Sequence, residues 1–216
     1  MRPKHLAIAL SKLAPHPCQH LDLEQYATEG DLAAYWMLGV DQLDGIEGKR
    51  VLDIGAGNGI LGIACLLLGA EHVTMVEVDP EVVKVINANV ASLPVELQSR
   101  TTVVHADVRE HDLPREGVDL VVMNQPWGTQ VARADRPFLD QAFATDATAV
   151  HLLHHANAAH LEAVGEGAGW RAEVVLRTEF RLPPTYHHHA QRKGFTDVKC
   201  WRFFRPGDAR LDEVEA

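Results

Sequence analysis

From residue 50 to residue 168 the chain alternates short apolar runs with longer stretches of helical period, and that alternation leaves few folds open to it. The runs "RVLDI" (50–54), "HVTMVEV" (72–78), "TTVVHA" (101–106), "VDLVVM" (118–123) and "AVHLLH" (149–154) have the length and β-branched content of buried strands. Around them "GILGIACLLLG" (59–69), "PEVVKVINANVASL" (80–93), "RPFLDQAFATD" (136–146) and "NAAHLEAVGEGA" (157–168) read as helices, the second opening on Pro80 at its first position. Upstream, "DLAAYWMLGVDQL" (31–43) reads as a further helix behind an acidic cap. Strands that are apolar on both sides need cover on both faces, so the expected architecture is an α/β fold with a mostly parallel sheet between helices. The last two runs, "WRAEVVLRTEF" (170–180) and "DVKCWRFF" (197–204), have no helix between them. One of the two therefore runs antiparallel and closes a seven-stranded sheet.

The turn after the first strand, "VLDIGAGNGI", carries Gly55, Gly57 and Gly59 behind Asp53, at a place where side chains would keep a ligand from the backbone. A dinucleotide fingerprint spaces its glycines Gly-x-Gly-x-x-Gly. The Gly-x-Gly-x-Gly spacing here favours S-adenosyl-L-methionine over NAD. Glu77 ends the second strand, where a carboxylate accepts from both ribose hydroxyls. Asp107 in "HADV" ends the third and is suited to the adenine amino group, with the Val108 amide near a ring nitrogen and Ile60 and Val78 on either side of the ring. The competing reading of Asp107 is a turn cap.

"MNQPWGTQ" (123–130) stands at the end of the fourth strand, along the carboxyl edge where ligands of open α/β sheets bind. An aromatic amine is a poor nucleophile because its lone pair is delocalised into the ring. If the Asn124 side-chain oxygen and the Gln125 backbone carbonyl each accept one amine hydrogen, the lone pair turns toward a sulfonium methyl. Pro126 biases Gln125 toward an extended conformation that holds its carbonyl outward. Trp127 offers a face on which an extruded base stacks.

With 46% hydrophobic and 23% charged residues over 216 positions, the composition is that of one globular domain. No apolar run approaches the roughly 20 residues of a membrane span, and "LAIAL" near the N-terminus is short and lacks a small-residue cleavage site. A cytoplasmic protein is expected. Cys18, Cys65 and Cys200 form no Cys-x-x-Cys pair and read as small buried hydrophobes. The histidines of "HLLHH" and "YHHHAQRK" read as solvated or RNA-facing, so no metal site is expected. A net charge of −10 argues against indiscriminate nucleic-acid binding and leaves RNA contact to local groups, namely Arg133, Arg136 and residues 186–193.

The tetrapeptide Asn124–Trp127 resembles the Asn-Pro-Pro-aromatic motif of amino-methyltransferases that act on adenine N6, guanine N2 or a glutamine amide. Together with "LEQYAT" (23–28), "VEVD", "ADV", "FLDQAF", "AVHLLHH" and "LPPTYHHH", nearly the whole chain resembles the archaeal and eukaryotic family that N6-methylates an adenosine in small-subunit ribosomal RNA. That resemblance implies a Rossmann-like class I methyltransferase fold. Residues 1–49 would be a helical cap, 50–205 the catalytic core and 206–216 an acidic tail. It further implies that Gln25 and Thr28 close over the cofactor and that Gly55, Asn58 and Ile60 line its methionine and ribose. Glu77, Asp107 and Val108 would hold the adenosine, and Asn124, Gln125, Pro126 and Trp127 would be catalytic. A small zinc-ribbon activator is the implied partner. Gln125 departs from the family's proline. Methylation of guanine N2 or a glutamine amide, and a cofactor-binding structural subunit weakened by Gln125, stand as the alternatives.

Overall fold

The computed structural model describes residues 1–17, 28–128, 133–181 and 195–207. Cys18, Gln25, the stretch 186–193 and the end of the acidic tail lie outside these. Seven strands form one sheet: β1 (Arg50–Ile54), β2 (His72–Glu77), β3 (Thr101–His105), β4 (Leu120–Met123), β5 (Ala149–His155), β6 (Arg171–Arg181) and β7 (Phe195–Phe204). Their order is β3-β2-β1-β4-β5-β7-β6. The first five pair in parallel, and β7 runs antiparallel to both β5 and β6. The expected closing antiparallel strand is therefore β7, and β6 returns to the common direction.

Period-two burial in the strands feeds two cores, one on each face. Val51, Leu120 and Val122 face the layer made by helices α1 (Pro3–Leu10), α2 (Gly30–Asp44) and α3 (Ile60–Leu67), while Leu52, Ile54, Val121 and Met123 face α6 (Arg136–Phe143) and α7 (His160–Gly167). Helix α4 (Pro80–Ala91) adds Ile86 to the first layer, and its start is fixed by Asp79, whose side chain accepts from the Glu81 amide at 2.9 Å. A short α5 (Val95–Gln98) precedes β3. "LAIAL", weighed in the sequence only as a possible leader, is a core helix: Leu6 and Leu10 are buried against α2.

The histidines of "HLLHH" depart from their expected solvated role. They lie on β5, where His151 and His154 are buried. His151 bonds Asp44 at 2.7 Å, and Arg202 reaches both oxygens of Asp44 and, at 2.8 Å, Glu173. The end of α2 is thus clamped to three strands by charges that satisfy one another. Cys65 and Cys200 are buried free thiols, as expected.

Candidate active site

The strand order reverses between β1 and β4, which opens a crevice at their carboxyl ends. The glycine loop bends into it through left-handed backbone at Gly55, Gly57 and Gly59, and a Cβ at Gly55 would come within 3.0 Å of the Phe138 ring. Glycine at Gly62 in the first turn of α3 has a different cause: a Cβ there would come 2.6 Å from Met75 and 3.1 Å from Asp53. That close approach lets the Gly62 amide donate to Asp53 Oδ2 at 2.8 Å. Asp53 is fully buried and its Oδ1 has no partner. Burial pushes its carboxyl up to about 7, the Gly62 bond opposing and the charge of Glu77 adding to the shift.

Glu77 stands where the sequence places it, but much of its acceptor capacity is in use. Oε2 accepts from the Gly57 amide at 3.0 Å, and Oε1 accepts from the amides of Val78 and Asp79 at 2.9 and 3.0 Å. A carboxylate has about four acceptor sites, so roughly one is left for a ribose hydroxyl rather than the expected pair. Glu77 therefore shapes the glycine loop as well as facing the crevice. Burial raises its pKa and the three amides oppose that.

Of the two sequence readings of Asp107, the turn cap is the one its contacts display. Its Oδ1 takes the Arg109 backbone amide at 2.9 Å, a turn cap, and the Arg109 guanidinium bonds both oxygens at 2.6 to 3.0 Å. That guanidinium holds the carboxyl below its usual range. The Arg109 side chain is 64% exposed, but its bidentate grip occupies both oxygens of Asp107, so any further donor at this carboxylate competes with a charged partner. Its neighbour Val108 is buried, and so is Ile60 at the start of α3. Arg109, Arg115, Arg133 and Arg136 line an open cavity of about 450 Å³ next to Val108.

Asn124 is held at both ends. Its Nδ2 donates to Thr28 Oγ1 at 3.0 Å, and its Oδ1 accepts from Trp127 Nε1 at 3.3 Å. An indole N–H only donates, so the atom facing it is the amide oxygen and the amide's orientation is fixed. Thr28 thus touches the tetrapeptide. Trp127 differs from expectation: it is 5% exposed, edge-on to Phe180 at 5.3 Å and close to His154, so its face is covered rather than open. The Gln125 side chain is fully buried with both amide atoms unpartnered.

Sequence reasoning overlooked how the N-terminal segment is fixed. Ala14 donates to Asn89 Oδ1 at 2.7 Å, and its carbonyl accepts from Asn58 and Asn89 at 3.0 and 3.2 Å. His16 is thereby laid on the loop, where a Cβ at Gly57 would come within 3.1 Å of its ring. Burial lowers the His16 pKa to about 4, with Asp79 pulling the other way. No local pattern marks Asn89 as anything but a helical residue; only the fold brings it to residue 14.

The profile of the methyltransferase small domain family matches residues 31–166, more than half of the chain and the whole stretch from α2 to α7 just described. The chain belongs to the methyltransferase small domain family. Relatives of this methyltransferase include the rRNA N(6)-adenosine-methyltransferase metl-5 of Caenorhabditis elegans, 33% identical over 80% of this chain and 83% of that protein. The rRNA N(6)-adenosine-methyltransferase Mettl5 of Drosophila melanogaster is 32% identical over 84% and 86% of the two chains. A crystal structure from Pyrococcus horikoshii superposes with a TM-score of 0.83 at 37% identity, covering 95% of this methyltransferase and 98% of that chain.

Proposed function

We propose that this methyltransferase transfers a methyl group from S-adenosyl-L-methionine to N6 of an adenosine in ribosomal RNA, as the names of its metazoan relatives state for those proteins. The observation that carries the proposal is the fixed amide of Asn124 at the carboxyl end of β4, beside the glycine loop. The residues present fit the cofactor: three left-handed glycines keep the loop bare, Glu77 retains acceptor capacity, and Asp107 and Val108 stand at the next strand end. When bound, the cofactor supplies an electrophilic sulfonium methyl.

Asn124 Oδ1 keeps one lone pair beyond the Trp127 bond, and that lone pair and the Gln125 carbonyl accept the two amine hydrogens. The nitrogen lone pair is then directed at the methyl carbon. With the cofactor bound, Asn124 Oδ1 and the Gln125 carbonyl would hold the amine hydrogens as positive charge develops on nitrogen, and one amine proton would pass to solvent. Orientation and strengthening hydrogen bonds supply the acceleration, with no strong base. Trp127 orients Asn124 in the described state, and stacking on a base requires its face to be uncovered. By the family resemblance Gln25 and Thr28 would close over the cofactor, and of the two Thr28, bonded to Asn124, lies among the described residues. The arginines beside Val108 receive RNA phosphates.

A single catalytic unit over 1–216, a cytoplasmic location and a small zinc-ribbon activator complete the proposal. Among the described residues no helix is long and apolar enough to cross a membrane. The test is incubation with unmodified ribosomal subunits and labelled cofactor, with and without the activator, followed by nucleoside mass analysis. Label in N6-methyladenosine of the small-subunit RNA is expected. Label on guanine N2 or on a glutamine amide would replace this substrate, and cofactor binding without transfer to any acceptor would support a structural subunit.

A further inference from the structure

Three ligating side chains from separate segments converge behind the tetrapeptide. Asp135 immediately precedes α6, His154 lies on β5 and His160 opens α7. Asp135 Oδ2 is 3.3 Å from His154 Nε2 and 2.6 Å from His160 Nε2, and the candidate ligand atoms all lie within 4.8 Å of one another. Asp135 and His154 are buried, whereas the side chain of His160 is 49% exposed.

Hydrogen bonding of two imidazoles to one carboxylate oxygen accounts for this cluster incompletely. The contact to His154 is long for an ionised acceptor, whose bonds run about 2.7–2.9 Å. It matches the edge of a tetrahedron around a cation with bonds of ~2.0 Å, which spans about 3.3 Å. Aspartate at an N-cap ordinarily accepts from the first helix amides. Asp135 occupies that position on α6, makes no such bond, and turns its carboxylate to the histidines. His154 Nδ1 is buried without a partner, so the polar contacts of this ring pass through Nε2.

We propose that Asp135, His154 and His160 bind one zinc-class divalent cation that ties the segment following the catalytic tetrapeptide to the sheet. Imidazole with carboxylate suits zinc among the common divalent ions, and the half-exposed His160 leaves a fourth position to solvent. His160 opens by several tenths of an ångström to complete the tetrahedron, which its exposure permits. His154 lies 6.4 Å, ring to ring, from Trp127, so the ion stiffens the wall behind the catalytic loop. Because His154 lacks an outer hydrogen bond at Nδ1, affinity falls about ten- to a hundredfold below that of sites that have one.

The experiment is calorimetric titration of metal-stripped protein with Zn²⁺, in a background where His187, His188 and His189 are alanine so that this run contributes no binding. One ion per chain is expected, with a raised melting temperature in Zn²⁺ and the visible absorption of a tetrahedral centre when Co²⁺ is used instead. His160→Ala and Asp135→Asn each weaken binding at least tenfold and abolish the thermal shift. Absence of saturable Zn²⁺ binding, affinity unchanged in both variants, or equal binding of Mg²⁺ would overturn the site. None of these readouts uses methyl transfer, so a negative result leaves the proposed activity standing.

Discussion

Asn124 and Gln125 are neighbours with opposite environments, and their substitutions separate chemistry from packing. Asn124 hydrogen-bonds Thr28 and Trp127, and among the described residues it makes no hydrogen bond to the glycine loop. Asn124→Ala is therefore expected to leave cofactor affinity nearly intact and to lower single-turnover methylation by about a hundredfold, the loss typical of one preorganised hydrogen-bonding group. Near-normal turnover would remove it from the mechanism. In the proposed reaction Gln125 contributes only a main-chain carbonyl, while its side chain is a buried amide with no partner, which costs about 1–3 kcal/mol. Gln125→Pro deletes that amide and stiffens a backbone already biased by Pro126. The expected outcome is a higher melting temperature with turnover unchanged or modestly raised. A folded but inactive proline variant would show that the glutamine itself meets substrate.

At the scale of elements, α4 does more than cover the sheet. Its Asn89 bonds both polar backbone groups of Ala14 and also donates to the Asn58 carbonyl at 2.9 Å, so one side chain joins helix, glycine loop and N-terminal segment. Asn89→Ala strands these groups, and the segment should loosen by about 1–3 kcal/mol. Hydrogen exchange read by mass spectrometry should show faster exchange at residues 14–17, accompanied by weaker cofactor binding. Unchanged protection there would mean that other contacts hold His16 over Gly57. The helix itself was legible from Asp79, Pro80 and its period, but the purpose of a buried asparagine on it was not.

The whole molecule carries a pH dependence that originates under the glycine loop. Asp53 titrates near 7 when folded, because burial disfavours its charge, and near 3.9 when unfolded. Below about pH 4 it is protonated in both states and its contribution to stability is fully present. Between about 4 and 7 unfolding releases its proton, so stability falls as pH rises, and the loss is complete above about 7. Asp53→Asn keeps an acceptor for the Gly62 amide and removes the proton. Urea denaturation from pH 4 to 8 should show the variant gaining on the natural protein by a few kcal/mol as pH rises. A difference independent of pH would mean that Asp53 is already ionised in the folded chain.

What the sequence determined by itself was everything set by local period and by the end of a strand. The alternation from residue 50 onward specifies a parallel sheet because buried strands need helices on both faces. Gly55 to Gly59, Glu77, Asp107 and Asn124 could be placed along one edge because parallel strands share a carboxyl end. Only the tertiary structure decided what each of those groups touches. The acceptor sites of Glu77 are shared with three amides, Trp127 is covered by Phe180, and Gln125 points inward; each depends on chain brought close from elsewhere. The same holds for His154, which the pattern left in a solvated run. Its strand is the neighbour of β4, with α6 and α7 packed over it, and that packing buries the imidazole and joins it to Asp135 and His160.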